Sequence, residues 1–141
     1  MLGLIPVYCG QGRPIIETVS IKKDYWYGQD GLDDHPETYP PSDSISNDMI
    51  EPENGVLAII RLVNSYEGEV DLIATGPLTN IALALSIDPS LPQKLKSFTI
   101  MGGNMYSFGN APTYLAEYNL YSDPEAAYIA LERIVPQVNR S

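Results

Sequence analysis

Val70-Asp71-Leu72-Ile73-Ala74-Thr75-Gly76-Pro77-Leu78-Thr79-Asn80-Ile81-Ala82-Leu83-Ala84-Leu85 is the stretch that decides the fold. Its first six residues are mostly aliphatic or β-branched and read as a strand that turns at Gly76. Pro77 suits the first position of a helix, where its fixed φ is already helical and its missing N–H has no intrahelical partner to lose. The helix runs over 78–87 and stops before Asp88-Pro89, because a residue preceding proline is pushed out of the helical region. Strand, tight turn and helix make half of a βαβ unit.

The pattern continues on both sides. Upstream, Val56, Ile59, Ile60, Val63 and Tyr66 recur at helical spacing, with Arg61, Asn64 and Ser65 between them, and Gly68 ends that helix. Ile5-Pro6-Val7-Tyr8-Cys9 reads as a short buried strand feeding Gly10-Gln11-Gly12. A dinucleotide loop would need a third glycine, and Arg13-Pro14 follow instead. Downstream, 95–101 reads as a strand ending at Gly102-Gly103. Asp123-Pro124-Glu125 then opens a helix, with Asp as cap, Pro at the first position and Glu against the helix dipole. The fold class is α/β, a partial parallel (Rossmann-like) sheet flanked by helices. Ligands of such sheets bind at the carboxyl ends of the strands. Here those ends are Gly10-Gln11-Gly12, Thr75-Gly76-Pro77 and Met101-Gly102-Gly103.

Residues 28–55 break the alternation. Between Asp30 and Glu53 there are eight acidic residues and no Lys or Arg, interrupted by Pro36, Pro40, Pro41 and Pro52. No period survives, so the stretch reads as an acidic loop, either a solvated linker or a lid over a site. His35, the only histidine, reads as solvent-facing within it.

Charge and composition exclude several classes. The 141 residues hold 8 Lys+Arg against 18 Asp+Glu, a formal net charge of −10, which disfavours nucleic acid and anionic membranes. One Cys and one His make neither a disulfide framework nor a structural zinc site. No apolar run approaches the ~20 residues of a membrane span. The start Met-Leu-Gly-Leu-Ile-Pro lacks a basic region and a long apolar core, so the expectation is a cytoplasmic chain.

Candidate chemistry clusters after the third strand. Asn104, Asn110, Glu117, Asn119 and Asp123 lie beside Met101. Amides and carboxylates offer donors and acceptors for adjacent hydroxyls, and Met supplies an apolar floor, which suits a sugar-like ligand. The same residues also suit turns and caps, Asp123 above all. The residues alone leave both readings open.

The wording of these segments narrows the choice. Thr75-Gly76-Pro77-Leu78-Thr79-Asn80, Met101-Gly102-Gly103, Gly109-Asn110, Ala116-Glu117-Tyr118-Asn119 and Asp123-Pro124-Glu125-Ala126-Ala127 resemble, in order, blocks of the inosine-uridine-preferring nucleoside hydrolases. Pro6-Val7-Tyr8-Cys9-Gly10 and Gly28-Gln29-Asp30-Gly31-Leu32 resemble two earlier blocks. The resemblance implies hydrolysis of the N-glycosidic bond of ribonucleosides to base and ribose. It implies a calcium ion (Ca2+) that holds the ribose hydroxyls and the attacking water, an aspartate base and an oxocarbenium-like transition state. Carried over by position, Thr75 gives its backbone carbonyl to calcium, and Met101, Asn110, Glu117 and Asn119 hold ribose. Glu117 and Asn119, two apart, would face the same way on an extended backbone. Tyr27 stands where many members have His and could stack on the base. The partner implied is a ribonucleoside or ribose, and the family commonly forms homo-oligomers.

The departures are equally specific. The family's Asp-x-Asp-x-Gly-x-Asp-Asp block, which supplies the base and most calcium carboxylates, does not occur in residues 1–141. The expectation is therefore the central part of a single nucleoside hydrolase-like domain, truncated, and poorly active or inactive alone. The alternative is a catalytically dead ribose- or nucleoside-binding protein or partner subunit.

Overall fold

The computed structural model describes residues 5–16, 28, 34, 35, 37, 38, 50–111 and 113–138. The chain runs β1 (Val7–Cys9), β2 (Ile50–Asn54), α1 (Gly55–Ser65), β3 (Asp71–Ala74), α2 (Thr79–Ile87), α3 (Leu91–Lys94), β4 (Ser97–Ile100), α4 (Tyr118–Ser122) and α5 (Pro124–Val138). β1 pairs with β2 and β3 with β4, both parallel, as two separate two-stranded sheets. The expected alternation and the parallel α/β class are both present.

Local chemistry sets the boundaries. Asn54 caps α1, its Oδ1 accepting from the Val56 N–H at 2.9 Å. The Tyr66 N–H closes the other end on the Leu62 carbonyl, so Tyr66 lies past the helix and is 55% exposed rather than on its apolar face. Gly68 takes φ +77°, open to glycine without strain, and its N–H reaches the Lys94 carbonyl at 2.8 Å. Asp123 caps α5 through the Ala126 N–H at 3.0 Å with Pro124 at the first helical position, as expected. Pro77 differs from its reading: α2 begins only at Thr79, and Pro77 belongs to the preceding turn.

The core lies where α2 crosses α5. Ala82, Ala126 and Ala130 are fully buried, so the two helix backbones approach closely, and Leu78, Leu85 and Ile134 fill the space around them. Each such aliphatic side chain contributes about 1.5–3 kcal/mol by burial. Leu72 and Ala74 of β3 pack against this core, whereas Ile73, on the other face, is 66% exposed.

Two expectations about the amino-terminal part are corrected. β1 is not a buried strand: Val7 is 56% exposed and Cys9 is exposed, because nothing among the described residues covers the outer face of its sheet. The acidic stretch contains β2 at Ile50–Asn54. Its pairing to β1 skips from Tyr8↔Glu51 to Cys9↔Asn54, an irregularity at Pro52-Glu53 that suits a residue without a donor. Glu53 receives a forked contact from Arg61 of α1 (2.7 Å for the closest pair), and Arg61 also donates to the Tyr8 hydroxyl at 3.0 Å. The Arg61 hydrogen bonds hold the Glu53 carboxyl below its ordinary range. Of the rest of the acidic loop before β2, only residues 28, 34, 35, 37 and 38 are among the described residues. His35 is exposed, as expected, and meets Glu37 at 2.8 Å.

Candidate functional site

The carboxyl ends of β3 and β4 are joined by α4, a helix absent from the sequence reading. Glu117 precedes it as the cap, accepting from the Asn119 N–H at 2.9 Å on one carboxylate oxygen and from the Leu120 N–H at 3.1 Å on the other. The negative charge sits at a helix start, where free N–H groups and the dipole favour it. A carboxylate has about four lone-pair positions, so two remain for further donors.

Asn119 is 7% exposed and turns inward. Its Nδ2 donates to the Met101 carbonyl at 2.8 Å and lies 3.5 Å from the Thr75 carbonyl, which stitches together the ends of β4 and β3. The expectation of an extended 117–119 backbone is corrected here. Asn119 lies in the first turn of a helix and Glu117 just before it, because the Glu117 carboxylate satisfies the amides that open that turn. Asn110 Oδ1 accepts from the Tyr118 N–H at 2.7 Å, which leaves the Nδ2 donor without a partner among the described residues. Gly102 lies so close that a Cβ there would stand 3.4 Å from Glu117 Oε2.

The structure thus brings Thr75, Met101, Asn110, Glu117 and Asn119 into one place. Asn104 and Asp123 leave the group. Asn104 Nδ2 donates to the Leu115 carbonyl at 2.7 Å as a loop brace. Asp123 is fully buried and accepts from Thr79 Oγ1 (2.6 Å), the Ile15 N–H (3.0 Å) and the Ala126 N–H. Tyr27 lies outside the described residues.

One connection was missed in the sequence. Asn80 Oδ1 accepts from the Gln11 N–H at 2.8 Å, tying the end of β1 to the start of α2. The signal was Gly10. A Cβ there would stand 2.4 Å from Asn80 Nδ2, so the first glycine of the Gly-x-Gly makes room for Asn80.

Calcium takes 6–8 oxygens, usually several from carboxylates. Thr75 offers one carbonyl, with only the long Asn119 contact on it among the described residues. Glu117 and Asp123 hold backbone amides, and among the described residues no three His, Cys, Asp or Glu side chains converge. The described residues therefore do not fit a calcium ion by themselves. No helix among them is long and apolar enough to cross a membrane.

A parallel α/β chain with polar groups gathered at its strand ends belongs to the class that binds small ligands there. The model of the inosine-uridine preferring nucleoside hydrolase family matches residues 1–139, and the chain belongs to that family. It is 37% identical over 123 residues to uridine nucleosidase 1 of Arabidopsis thaliana, covering 87% of this chain and 34% of that one. It is 34% identical over 134 residues to the pyrimidine-specific ribonucleoside hydrolase RihB of Escherichia coli (strain K12 / DH10B), covering 95% of this chain and 40% of that one. Among solved structures, a plant nucleoside hydrolase, the PpNRh1 enzyme, superposes with a TM-score of 0.74 at 32% identity over 89% of this chain and 37% of that one. An inosine-guanosine nucleoside hydrolase gives a TM-score of 0.78 at 31% identity over 92% and 39%. The chain thus spans well under half the length of these relatives.

Proposed function

We propose that this chain supplies the ribose-holding part of a ribonucleoside N-ribohydrolase, and that residues 1–141 are the central part of a single domain. The observation that carries the reading is the α4 cap. It presents the Glu117 carboxylate, the Asn110 Nδ2 (without a partner among the described residues) and the Asn119 Oδ1 beside Thr75 and Met101. Neighbouring ribose hydroxyls need such alternating acceptors and donors. Contacts of this kind accelerate hydrolysis only if they strengthen as the sugar flattens and gains positive charge, which a fixed carboxylate favours. The aspartate base and most calcium ligands would come from residues beyond those described, with Thr75 as one carbonyl ligand. The second reading, binding without turnover, is favoured by the carboxylates of Glu117 and Asp123 being occupied with internal amides.

The test uses the purified 141-residue chain with inosine and uridine, in excess calcium and in EDTA. Saturation-transfer NMR reads binding and a reducing-sugar assay reads ribose release. The expected result is binding of at least one nucleoside, weakened about tenfold (about 1.4 kcal/mol) in Glu117→Gln, with little ribose release. Absence of binding by either nucleoside at millimolar concentration overturns the reading. Fast calcium-dependent release would overturn the assignment of the base to residues elsewhere.

A further inference from the structure

Between Lys96 and Glu117 the sequence runs for 20 residues without a charged side chain, the longest such run in a chain of net charge −10. β4 takes up its start, and the rest is a loop that leaves the sheet at Gly102-Gly103 and returns at the Glu117 cap. On it Met105, Tyr106, Phe108, Tyr114 and Leu115 are 66–85% exposed. Single apolar side chains in water are ordinary. Five of them within 11 residues are a patch, and such patches mark interaction surfaces.

The loop is braced so that these side chains stay outside. Asn104 Nδ2 donates to the Leu115 carbonyl at 2.7 Å, and the Gly109 and Ala111 N–H groups donate to the Tyr114 and Ala116 carbonyls at 3.0 Å. The two limbs of the loop therefore lie side by side, with residues 105–108 at one turn. Gly109 has no room for a side chain, because a Cβ there would stand 1.8 Å from the Ala116 carbonyl oxygen. Tyr106, Ser107 and Tyr114 take φ +64°, +57° and +58°, the left-handed region that strains a residue with a Cβ. Strain of this kind persists where the surrounding structure imposes it, and it gathers at places that bind.

We propose that this loop is where two copies of the chain meet, the same uncharged patch on each across a two-fold axis. Charge selects the partner. Two chains of net charge −10 repel through their acidic surfaces, so self-association needs a surface without acids, and this run is the longest the sequence offers. A basic partner would be drawn to the acidic surface instead, and an anionic membrane repels a chain of this charge. A nucleoside is too small to cover all five side chains. Met, Tyr and Phe without Lys, Glu or Asp is also the make-up of interface cores. The area agrees: at about 150–250 Å² for a whole aromatic side chain, the exposed parts offer roughly 600–900 Å², against about 800 Å² per partner in a stable interface. None of the five side chains belongs to the proposed ribose site, and the inference does not depend on that reading.

Sedimentation equilibrium of the purified 141-residue chain tests it. A range of about 1–200 µM brackets the Kd expected for a patch of this area, about 1–100 µM. Raising salt from about 0.05 to 0.5 M should tighten the dimer, because screening weakens the repulsion between acidic chains and takes nothing from an uncharged contact. Tyr106→Asp combined with Phe108→Asp should raise Kd about 30-fold or more, the scale of losing one central interface side chain. The melting temperature should hold, since Asp tolerates positive φ better than Tyr. If that variant fails to fold, Met105→Ser with Phe108→Ser adds no charge and should still weaken the dimer about tenfold. A fluorescent trace of the loop variant should stay monomeric in excess parent chain, because a two-fold contact needs the patch on both copies. Ile73→Asp, on the exposed face of β3, should dimerise like the parent. A parent chain that stays monomeric at the highest concentration overturns the inference and leaves the loop to a ligand or to the part of the family fold that this chain does not span. So does a dimer that survives both loop variants, captures the labelled trace, loosens in salt, or is lost in a folded Ile73→Asp.

Discussion

Removing the Asp123 carboxylate tests how the site is held together. Asp123 is fully buried and joins three elements: the Ile15 N–H after β1, Thr79 Oγ1 at the start of α2 and the Ala126 N–H of α5. Asp123→Ala deletes the cap of α5, worth about 0.5–2 kcal/mol. It also leaves the Thr79 hydroxyl, itself 7% exposed, without this acceptor, at about 1–3 kcal/mol for a buried unpaired donor. The Ile15 amide is a smaller loss, because Ile15 is 38% exposed and water can reach that segment. Removing a buried charge returns part of this, so the expected net loss is about 2–4 kcal/mol. For a chain of this size that is a fall of roughly 10 °C in melting temperature. Urea unfolding followed by circular dichroism measures it, with Thr79→Ala and the double variant completing a cycle. The two single effects should overlap by about 1 kcal/mol or more, because they remove one shared bond. A loss below about 0.5 kcal/mol in Asp123→Ala, or strict additivity with Thr79→Ala, would refute the reasoning.

Other expectations follow from the same geometry. Ala82→Leu, at a fully buried position between α2 and α5, should destabilise by about 1–3 kcal/mol in urea unfolding through overpacking, whereas Leu85→Ala should cost about 2–5 kcal/mol through a cavity. Gly10→Ala drives Asn80 from its place and so breaks the Gln11 N–H bond; the loss should be about 1 kcal/mol and much smaller in an Asn80→Ala background. Asp88 accepts from Ser90, Asn64 and Lys94, and these bonds, Ser90 foremost, hold its carboxyl well below the usual range. Because its pKa is depressed in the folded chain, that stability is complete above the ordinary carboxylate value of about 3.9 and is lost as pH falls below it. Melting temperatures from pH 6 to 2 should therefore show a shallower acid decline in Asp88→Asn than in the parent chain.

Much of the fold was legible because it is local. The cap at Asp123 and the closure of α1 by Tyr66 on Leu62 depend on residues within a turn or so of each other, and the strand before Gly76 on a short aliphatic run. The family was legible in the wording of its blocks, and its model matches residues 1–139. β2 was hidden by Pro52 and its acidic neighbours, since their place in a sheet depends on β1, more than forty residues away, and on Arg61 meeting Glu53. Within the site, side-chain types could be read but not their partners. Sequence spacing put Glu117 and Asn119 on one face, and only the helix that Glu117 caps turned Asn119 inward to the ends of β3 and β4. Asp123 shows the same division.

By itself the sequence determined the alternation of strands and helices, the acidic charge balance and the family, because each resides in composition, short-range pattern or wording. The tertiary structure alone decided that Asp123 ties the segment after β1 and the start of α2 to α5, and that Gly10 makes room for Asn80. These are contacts between residues far apart in the chain. Their partners are set by how the sheets and helices pack, which no local pattern encodes.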